Sequence, residues 1–386
     1  MRQDFITFGA PDHGDAEIEA ALDTLRSGWL GTGPRVAEFE ATLAAYKGVD
    51  AAQAVALNSC TAALQLSLLA AGVGPGDEVV MPALTFCAAA NAVLHTGATP
   101  VLADVDPMTM NLTATGLQDA LTPRTRAVVP VHFAGRPCDM DALLRVARAH
   151  HLRVIEDCAH AVESLYRGQP AGTLGDFGCF SFYATKNLAT GEGGMVIAKD
   201  ARHAERMRCM ALHGMSRDAW KRYAADGFQH YDVVECGFKL NMMDLQAAIG
   251  LQQLRRLEAA WQVREHQWLR YQQAFADLPA TRPAPAEPDT RHGLHLYTLL
   301  VDEARCGIDR DEFLRRMQRS GVGVGVHYRA LPEYTYYRER LGWRPEATPV
   351  ATAIGRTTVS LPIGPRLSDA DVERVIDAVR AALATP

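Results

Sequence analysis

The sequence has no cysteine pair at C-x-x-C spacing, no apolar run of membrane-spanning length, no basic excess and no G-x-G-x-x-G turn. Each absence removes a class of protein. The eight cysteines (Cys60, Cys87, Cys138, Cys158, Cys179, Cys209, Cys236 and Cys306) are scattered through 386 residues. Dispersed cysteines in a chain of this length read as reduced core residues, not as a disulfide framework or a zinc site. A formal net charge of -6 argues against a general nucleic-acid binder, although a few cations or backbone amides still suffice for a nucleotide. The opening residues Met1 to Phe5 lack the apolar core of a signal peptide, so a cytoplasmic protein with no membrane span is expected. Gly321-Val322-Gly323-Val324-Gly325 lacks dinucleotide spacing and reads as a strand packed closely against something. His150 and His151 point different ways on a helix, and no metal site is expected.

What remains is an ordinary globular composition, 48% hydrophobic and 22% charged, long enough for two or so domains. Helices are predicted over Asp15–Ser27 and Pro34–Tyr46, stopped by Gly28 and Gly48. From about Ala51 strands and helices alternate. Strands near Ala54–Leu57, Glu78–Met81, Val101, Ala127–Val131 and Arg153–Glu156 are separated by helices Thr61–Ala71, Phe86–His95, Thr115–Leu121 and Met140–His150. This rhythm predicts a mostly parallel sheet covered on both faces. Two more strands bracket a polar loop between Gly178 and Ile197. Asp244 to Leu278 then reads as one long helix, or two in tandem, linking a large domain to a small one. The proline-rich stretch 279–288 is a boundary candidate. A strand around Leu294–Val301, a helix Arg310–Ser320, a strand Gly321–Val326 and a helix Ser368–Leu383 follow.

Three segments carry chemistry. Lys186, in Ser181-Phe182-Tyr183-Ala184-Thr185-Lys186-Asn187, follows an apolar strand and precedes Gly191-Glu192-Gly193-Gly194. Open α/β sheets gather ligand-binding groups at such strand ends, and partial burial makes a lysine nucleophilic. An exposed loop lysine is the plain alternative. Asp157 ends the strand Val154-Ile155-Glu156, where it can pair with a pyridine nitrogen; a helix cap, a metal ligand or a ribose-binding carboxylate fits it as well. Asn58-Ser59-Cys60-Thr61-Ala62-Ala63 sits between a strand and a helix and suits a phosphate, or simply caps the helix. Phe86 can stack on a flat ring or belong to the core.

These blocks resemble the StrS/DegT-type sugar aminotransferases. So do Gly28-Trp29-Leu30, Gly74-Pro75-Gly76-Asp77-Glu78-Val79, Pro130-Val131-His132, Gln246-Ala247-Ala248-Ile249-Gly250-Leu251, His327-Tyr328 and Ser360-Leu361-Pro362. The resemblance runs almost end to end. It implies an α/β, aspartate-aminotransferase-like fold (fold type I) with a seven-stranded-type sheet, over residues 1–250. Residues 251–386 would form the linking helix and a smaller α+β domain. It further implies pyridoxal 5'-phosphate (PLP), with Lys186 as the Schiff-base lysine and Asp157 on the pyridine nitrogen. His160 would lie near the phenolic oxygen, Cys60, Thr61 and Ser181 at the phosphate, and Phe86 on the ring. Asn241, in the block 237–242, would reach a neighbouring subunit's cofactor in a homodimer. Trp29, Tyr183, Lys239, His327 and Tyr328 would face the substrate.

The implied reaction moves an amino group from L-glutamate to a nucleotide-linked keto-sugar. A narrower likeness, to the branch that makes UDP-4-amino-4-deoxy-L-arabinose, rests on His213-Gly214-Met215, Asp218-Ala219-Trp220, 301–308 and 337–340, and implies amination at sugar carbon 4. The chain departs from that branch after His327. The alternatives are a keto-cyclitol or 3-keto-sugar aminotransferase, a PLP sugar dehydratase, which would carry His in place of Lys186, and a non-catalytic regulatory protein, which would have lost Lys186 or Asp157. A nicotinamide-dependent reductase needs the missing Gly-rich turn.

Overall fold

The computed structural model describes residues 5–215 and 231–384. Twelve strands form three sheets. They are β1 Ala54–Leu57, β2 Glu78–Pro82, β3 Thr99–Ala103, β4 Thr125–Val128, β5 Arg153–Asp157, β6 Leu165–Tyr166, β7 Gln169–Pro170, β8 Phe177–Ser181, β9 Gly194–Ala198, β10 Thr290–Arg291, β11 Tyr297–Leu300 and β12 Thr358–Leu361. The main sheet has the order β1-β9-β8-β5-β4-β2-β3. Only β9 runs antiparallel to its neighbours; the other pairs are parallel. Strands β2, β8 and β9 are apolar almost throughout because both faces of the sheet are covered.

Alternation along the strands sorts the two layers. Val55, Val79, Met81, Ile155 and Val196 pack under the helices Cys60–Ala70 and Cys87–His95. Ala56, Phe180, Met195 and Ile197 face the opposite way, against Phe39, Leu43, Leu251 and Leu254. A separate core gathers Tyr271, Phe275, Tyr297, Phe313, Val372, Val375 and Val379 around the antiparallel pair β11–β12.

The first two helices, Asp15–Ser27 and Pro34–Lys47, stop where expected, at Gly28 (φ 75°) and Gly48 (φ 70°). The long helical stretch is two helices, Asp244–Arg255 and Leu257–Ala274, divided at Arg256, whose guanidinium is held by Asp12 and Glu17. Gly250 lies inside the first of them.

The expected strand 321–326 is not a named strand. It makes isolated bridges, Ile6 to Val322 and Gly325 to Ser360, because the N-terminal segment occupies its other side. The close packing foreseen there is real, since a Cβ at Gly325 would lie 2.9 Å from the Phe8 ring. β4 ends at Val128, and Val131 makes only an isolated bridge to Asp157. The helices Ala201–Ala211, Thr335–Leu341 and Pro349–Thr357 had no sequence expectation. Asp218-Ala219-Trp220 lies outside the described residues. Among the described residues, no helix is long and apolar enough to cross a membrane.

Candidate active site

Asp157 is the last residue of β5, at the carboxyl edge of the parallel sheet, where such sheets bind ligands. Its N–H donates to Pro130 and its carbonyl accepts from His132, so the backbone is held from one side. The side chain is buried, with Oδ1 accepting from the Ala159 N–H at 3.0 Å and the Cys60 Sγ at 4.0 Å. Burial raises this carboxyl's pKa, and the Ala159 N–H and the nearby Lys186 charge oppose it. Glu156 points the other way and ties down the strand end. It accepts from the N–H groups of Gly172, Leu174 and Gly175, with His132 Nε2 at 3.0 Å. His132, Glu156 and Cys158 come within 4.8 Å of one another, but these bonds already satisfy the carboxylate, and burial holds the Cys158 thiol protonated.

Lys186 sits on the loop between β8 and β9, in a turn closed by its N–H bond to the Tyr183 carbonyl at 2.8 Å. Desolvation lowers its pKa to about 8, against the opposing influence of Asp157 and Cys60. Lys186 lines a cleft together with Phe8, Asn187, Arg264, His295 and His327 among others.

The turn after β1 has N–H groups that could hold an anion. Ser59 caps the helix Cys60–Ala70 by accepting from the Ala62 N–H, and the Cys60 and Thr61 N–H groups have no intrahelical acceptor. Cys60 contributes only that N–H, because its thiol turns inward to the Cys179 carbonyl and Asp157. Ser181, at the end of β8, keeps its hydroxyl near the surface of the loop, accepting from the Tyr183 N–H at 3.4 Å. Gly194 is what lets β9 approach the turn: a Cβ there would lie 2.4 Å from the Ser59 carbonyl carbon. Gly194→Ala is therefore expected to displace the turn and lower stability by about 1–3 kcal/mol. Urea unfolding of the apoprotein measures this, and an unchanged midpoint would show the approach to be loose.

His160 accepts the Ala134 N–H at Nδ1 (3.2 Å), so its proton is on Nε2, which donates to the Tyr328 hydroxyl at 3.0 Å. The Tyr328 hydrogen is thereby free to point elsewhere. Phe86 is 57% exposed, with its ring 5.7 Å from that of Tyr328, and so presents an aromatic face rather than a core contact. His327 bonds Ser360 through Nδ1 at 2.9 Å, and burial pulls its pKa down to about 4.

Three of the expected residues, Asn241, Lys239 and Trp29, are not drawn into this cluster. Asn241 bonds Thr32 and Lys239, each at 2.6 Å, and bridges Leu57 at the sheet edge. Trp29 donates to the Thr32 carbonyl and stands 47% exposed, whereas Tyr183, equally exposed, shares the turn that holds Lys186. Among the described residues, no hydrogen bond or ring contact joins Trp29, Lys239 or Asn241 to Lys186. Sequence reading also overlooked His295, Glu163 and Arg264. Their only signal was a second histidine in His292-Gly293-Leu294-His295, a lone acid in Ala161-Val162-Glu163-Ser164-Leu165, and one of several charges on the long helix.

Comparison with known proteins places the chain in a family. The family model described as DegT/DnrJ/EryC1/StrS aminotransferase matches residues 11–380. SpsC of Bacillus subtilis, a spore coat polysaccharide biosynthesis protein, is 48% identical over 380 residues, covering 98% of this chain and 97% of that protein. Spr1654 of Streptococcus pneumoniae, solved in a PLP form and a PMP form, is 34% identical over 98% of each chain, with a TM-score of 0.90. DesI, solved in the presence of its TDP-sugar product, is 34% identical over 99% of this chain and 93% of that one, with a TM-score of 0.87. With the family spanning nearly the whole chain on a fold type I frame, this protein belongs to the DegT/DnrJ/EryC1/StrS aminotransferase family and is a PLP-dependent sugar aminotransferase.

Proposed function

We propose that this protein transfers an amino group from L-glutamate to carbon 4 of a keto-sugar carried on a nucleotide. The observation that carries the reading is the meeting of Asp157 and Lys186 at one sheet edge, each close enough to perturb the other's charge. The donor set fits the cofactor: two free N–H groups and a serine for a phosphate, a buried carboxylate for a ring nitrogen, an exposed aromatic face and a nucleophilic amine.

When bound, PLP supplies an aldehyde carbon for the amine and a protonated ring that draws electrons from the donor carbon. Lys186 is the amine that holds the cofactor covalently. Once displaced, it would take the proton from the donor's Cα and deliver it to the former aldehyde carbon of the cofactor, acting first as base and then as acid. Asp157, whose Oδ1 accepts from the Ala159 N–H, would hold the proton on the ring nitrogen. Cys60 and Thr61, through their N–H groups, and Ser181 hold the phosphate, and Phe86 packs on the ring. The His160–Tyr328 pair faces the phenolic side. His327 and Tyr183 border the sugar.

The molecule acts as a cytoplasmic homodimer in which Asn241, Lys239 and Trp29 complete the neighbouring subunit's site. Their separation from Lys186 within one chain supports this, as does the exposure of Trp29, Leu30, Tyr183 and Met243. Residues 1–250 make the cofactor domain and 251–386 the linking helix and small domain. DesI, solved with a TDP-sugar product, supports a nucleotide-linked substrate. The name of SpsC fits an amino sugar destined for a polysaccharide.

A panel of UDP- and dTDP-linked 4-keto- and 3-keto-sugars and a keto-cyclitol, each with L-glutamate, tests the substrate. Turnover of a nucleotide-linked 4-keto-sugar at a kcat/KM at least about 10²-fold above the others is expected. Preference for the free cyclitol would overturn the nucleotide assignment.

A further inference from the structure

We propose that His295 is a positioning residue for Lys186: Asn187 fixes its tautomer so that a bare Nε2 lone pair faces the shared cleft, ready to accept a hydrogen bond from the Lys186 amine once the donor has displaced it from the cofactor. The inference rests on the reading of Lys186 as the reactive amine, and it follows from hydrogen bookkeeping in a buried chain of four side chains.

Asn187 Nδ2 has two hydrogens, and both are engaged. They go to the Glu163 carboxylate, at 2.9 and 3.1 Å, and to the Gly293 carbonyl at 2.8 Å. The orientation of the amide is therefore set, and Oδ1 is the end that meets His295 Nδ1 at 2.9 Å. A carbonyl oxygen only accepts, so His295 carries its proton on Nδ1 and Nε2 is bare. Glu163 is in turn paired with the buried guanidinium of Arg264, which keeps the amide from turning over.

The backbone around His295 is equally constrained. Its N–H donates to the Ala134 carbonyl, and the Gly293 N–H to the Gly135 carbonyl. The His160 ring lies 4.4 Å from that of His295 and has the opposite tautomer, with its Nε2 proton given to Tyr328. Of this pair, only His295 offers a lone pair with no hydrogen-bond partner among the described residues, and it lines the cleft together with Lys186. Burial keeps both rings neutral.

The choice of imidazole has a chemical consequence. A second carboxylate beside Lys186, added to Asp157, would stabilise the ammonium further and weaken the base, whereas a neutral ring holds the amine in place without another full negative charge. Asn187, next in sequence to Lys186, couples the position of the loop to the tautomer of the ring.

Histidine 15N NMR of the apoprotein and of the PLP-loaded enzyme reads the tautomer directly, with His295→Phe providing the assignment. An Nδ1-protonated, Nε2-bare His295 is expected, turning into a tautomer mixture in Asn187→Ala. Single-turnover loss of the visible band on adding L-glutamate reads the consequence. His295→Phe is expected to slow that step about 10- to 100-fold, as loss of an orienting partner does, while L-glutamate affinity stays within about twofold. His295→Gln places an amide N–H toward Asn187 and an amide oxygen toward Lys186, and is expected to recover most of the rate. An Nε2-protonated His295, or a wild-type rate in His295→Phe, would overturn the inference while leaving Lys186 as the reactive amine. A visible band that persists in Lys186→Ala would overturn both readings together.

Discussion

Lys186→Ala is expected to abolish the visible absorption band of the PLP-loaded enzyme and to lower kcat by about 10⁴-fold or more, since one residue serves as covalent anchor and as proton carrier. Lys186→Arg should fare no better, because a guanidinium keeps the charge but is not a nucleophile. The geometry also predicts how the wild-type amine behaves before the cofactor binds. Desolvation disfavours the ammonium, so the pKa falls to about 8. About half of the amines are then neutral at pH 8, against roughly one in three hundred for an ordinary lysine. The rate at which apoprotein captures PLP should rise with pH through a midpoint near 8. A midpoint near 10.5 would mean that the amine is solvated and that Asp157 and the loop do not bury it.

Arg264→Leu is expected to lower stability by about 3–5 kcal/mol, measured by urea unfolding of the apoprotein. The side chains of Arg264 and Glu163 are 2% and 0% exposed, and removing the cation leaves an unpaired buried carboxylate. Glu163 already has a pKa raised by burial, with Arg264 the leading influence against it. Without Arg264 the folded value rises further. The folded state then binds a proton more tightly than the unfolded chain, so the deficit relative to wild type is largest at neutral pH. It shrinks as pH falls through the raised folded value toward the ordinary carboxylate range. The double variant Glu163→Leu, Arg264→Leu should recover much of the stability, because neither member of the pair is left behind as a buried charge without the other. A deficit in the double variant equal to that of Arg264→Leu would assign the loss to packing. The double variant also leaves Asn187 without its anionic anchor, so its stability should recover further than its rate.

Most of the main sheet could be read directly from residues. β1, β2 and β5 announce themselves as short apolar runs bounded by turn residues, and Gly28 and Gly48 mark helix ends through a conformation that other residues resist. The stretch 321–326 misled because an apolar, glycine-punctuated segment looks the same whether its neighbour is a ladder or the N-terminal chain at Ile6 and Phe8. The break at Arg256 was open to either reading, since the apolar periodicity continues through it. What divides the helices is a guanidinium held by Asp12 and Glu17, more than two hundred residues away.

The site divides in the same way. Lys186, Asp157 and the Ser59–Thr61 turn could be singled out because each lies just beyond a predicted strand, and strand ends on one edge of a sheet must meet. The sequence by itself thus determined the type of fold and which strand-end residues could share a site. Only the tertiary structure decided the chemical state of those residues. The inward thiol of Cys60, the neutral tautomers of His160 and His295, and the lowered pKa of Lys186 depend on partners distant in the chain. A proton's position is set by which donor or acceptor stands about 3 Å away, and the order of residues along the chain does not record that distance.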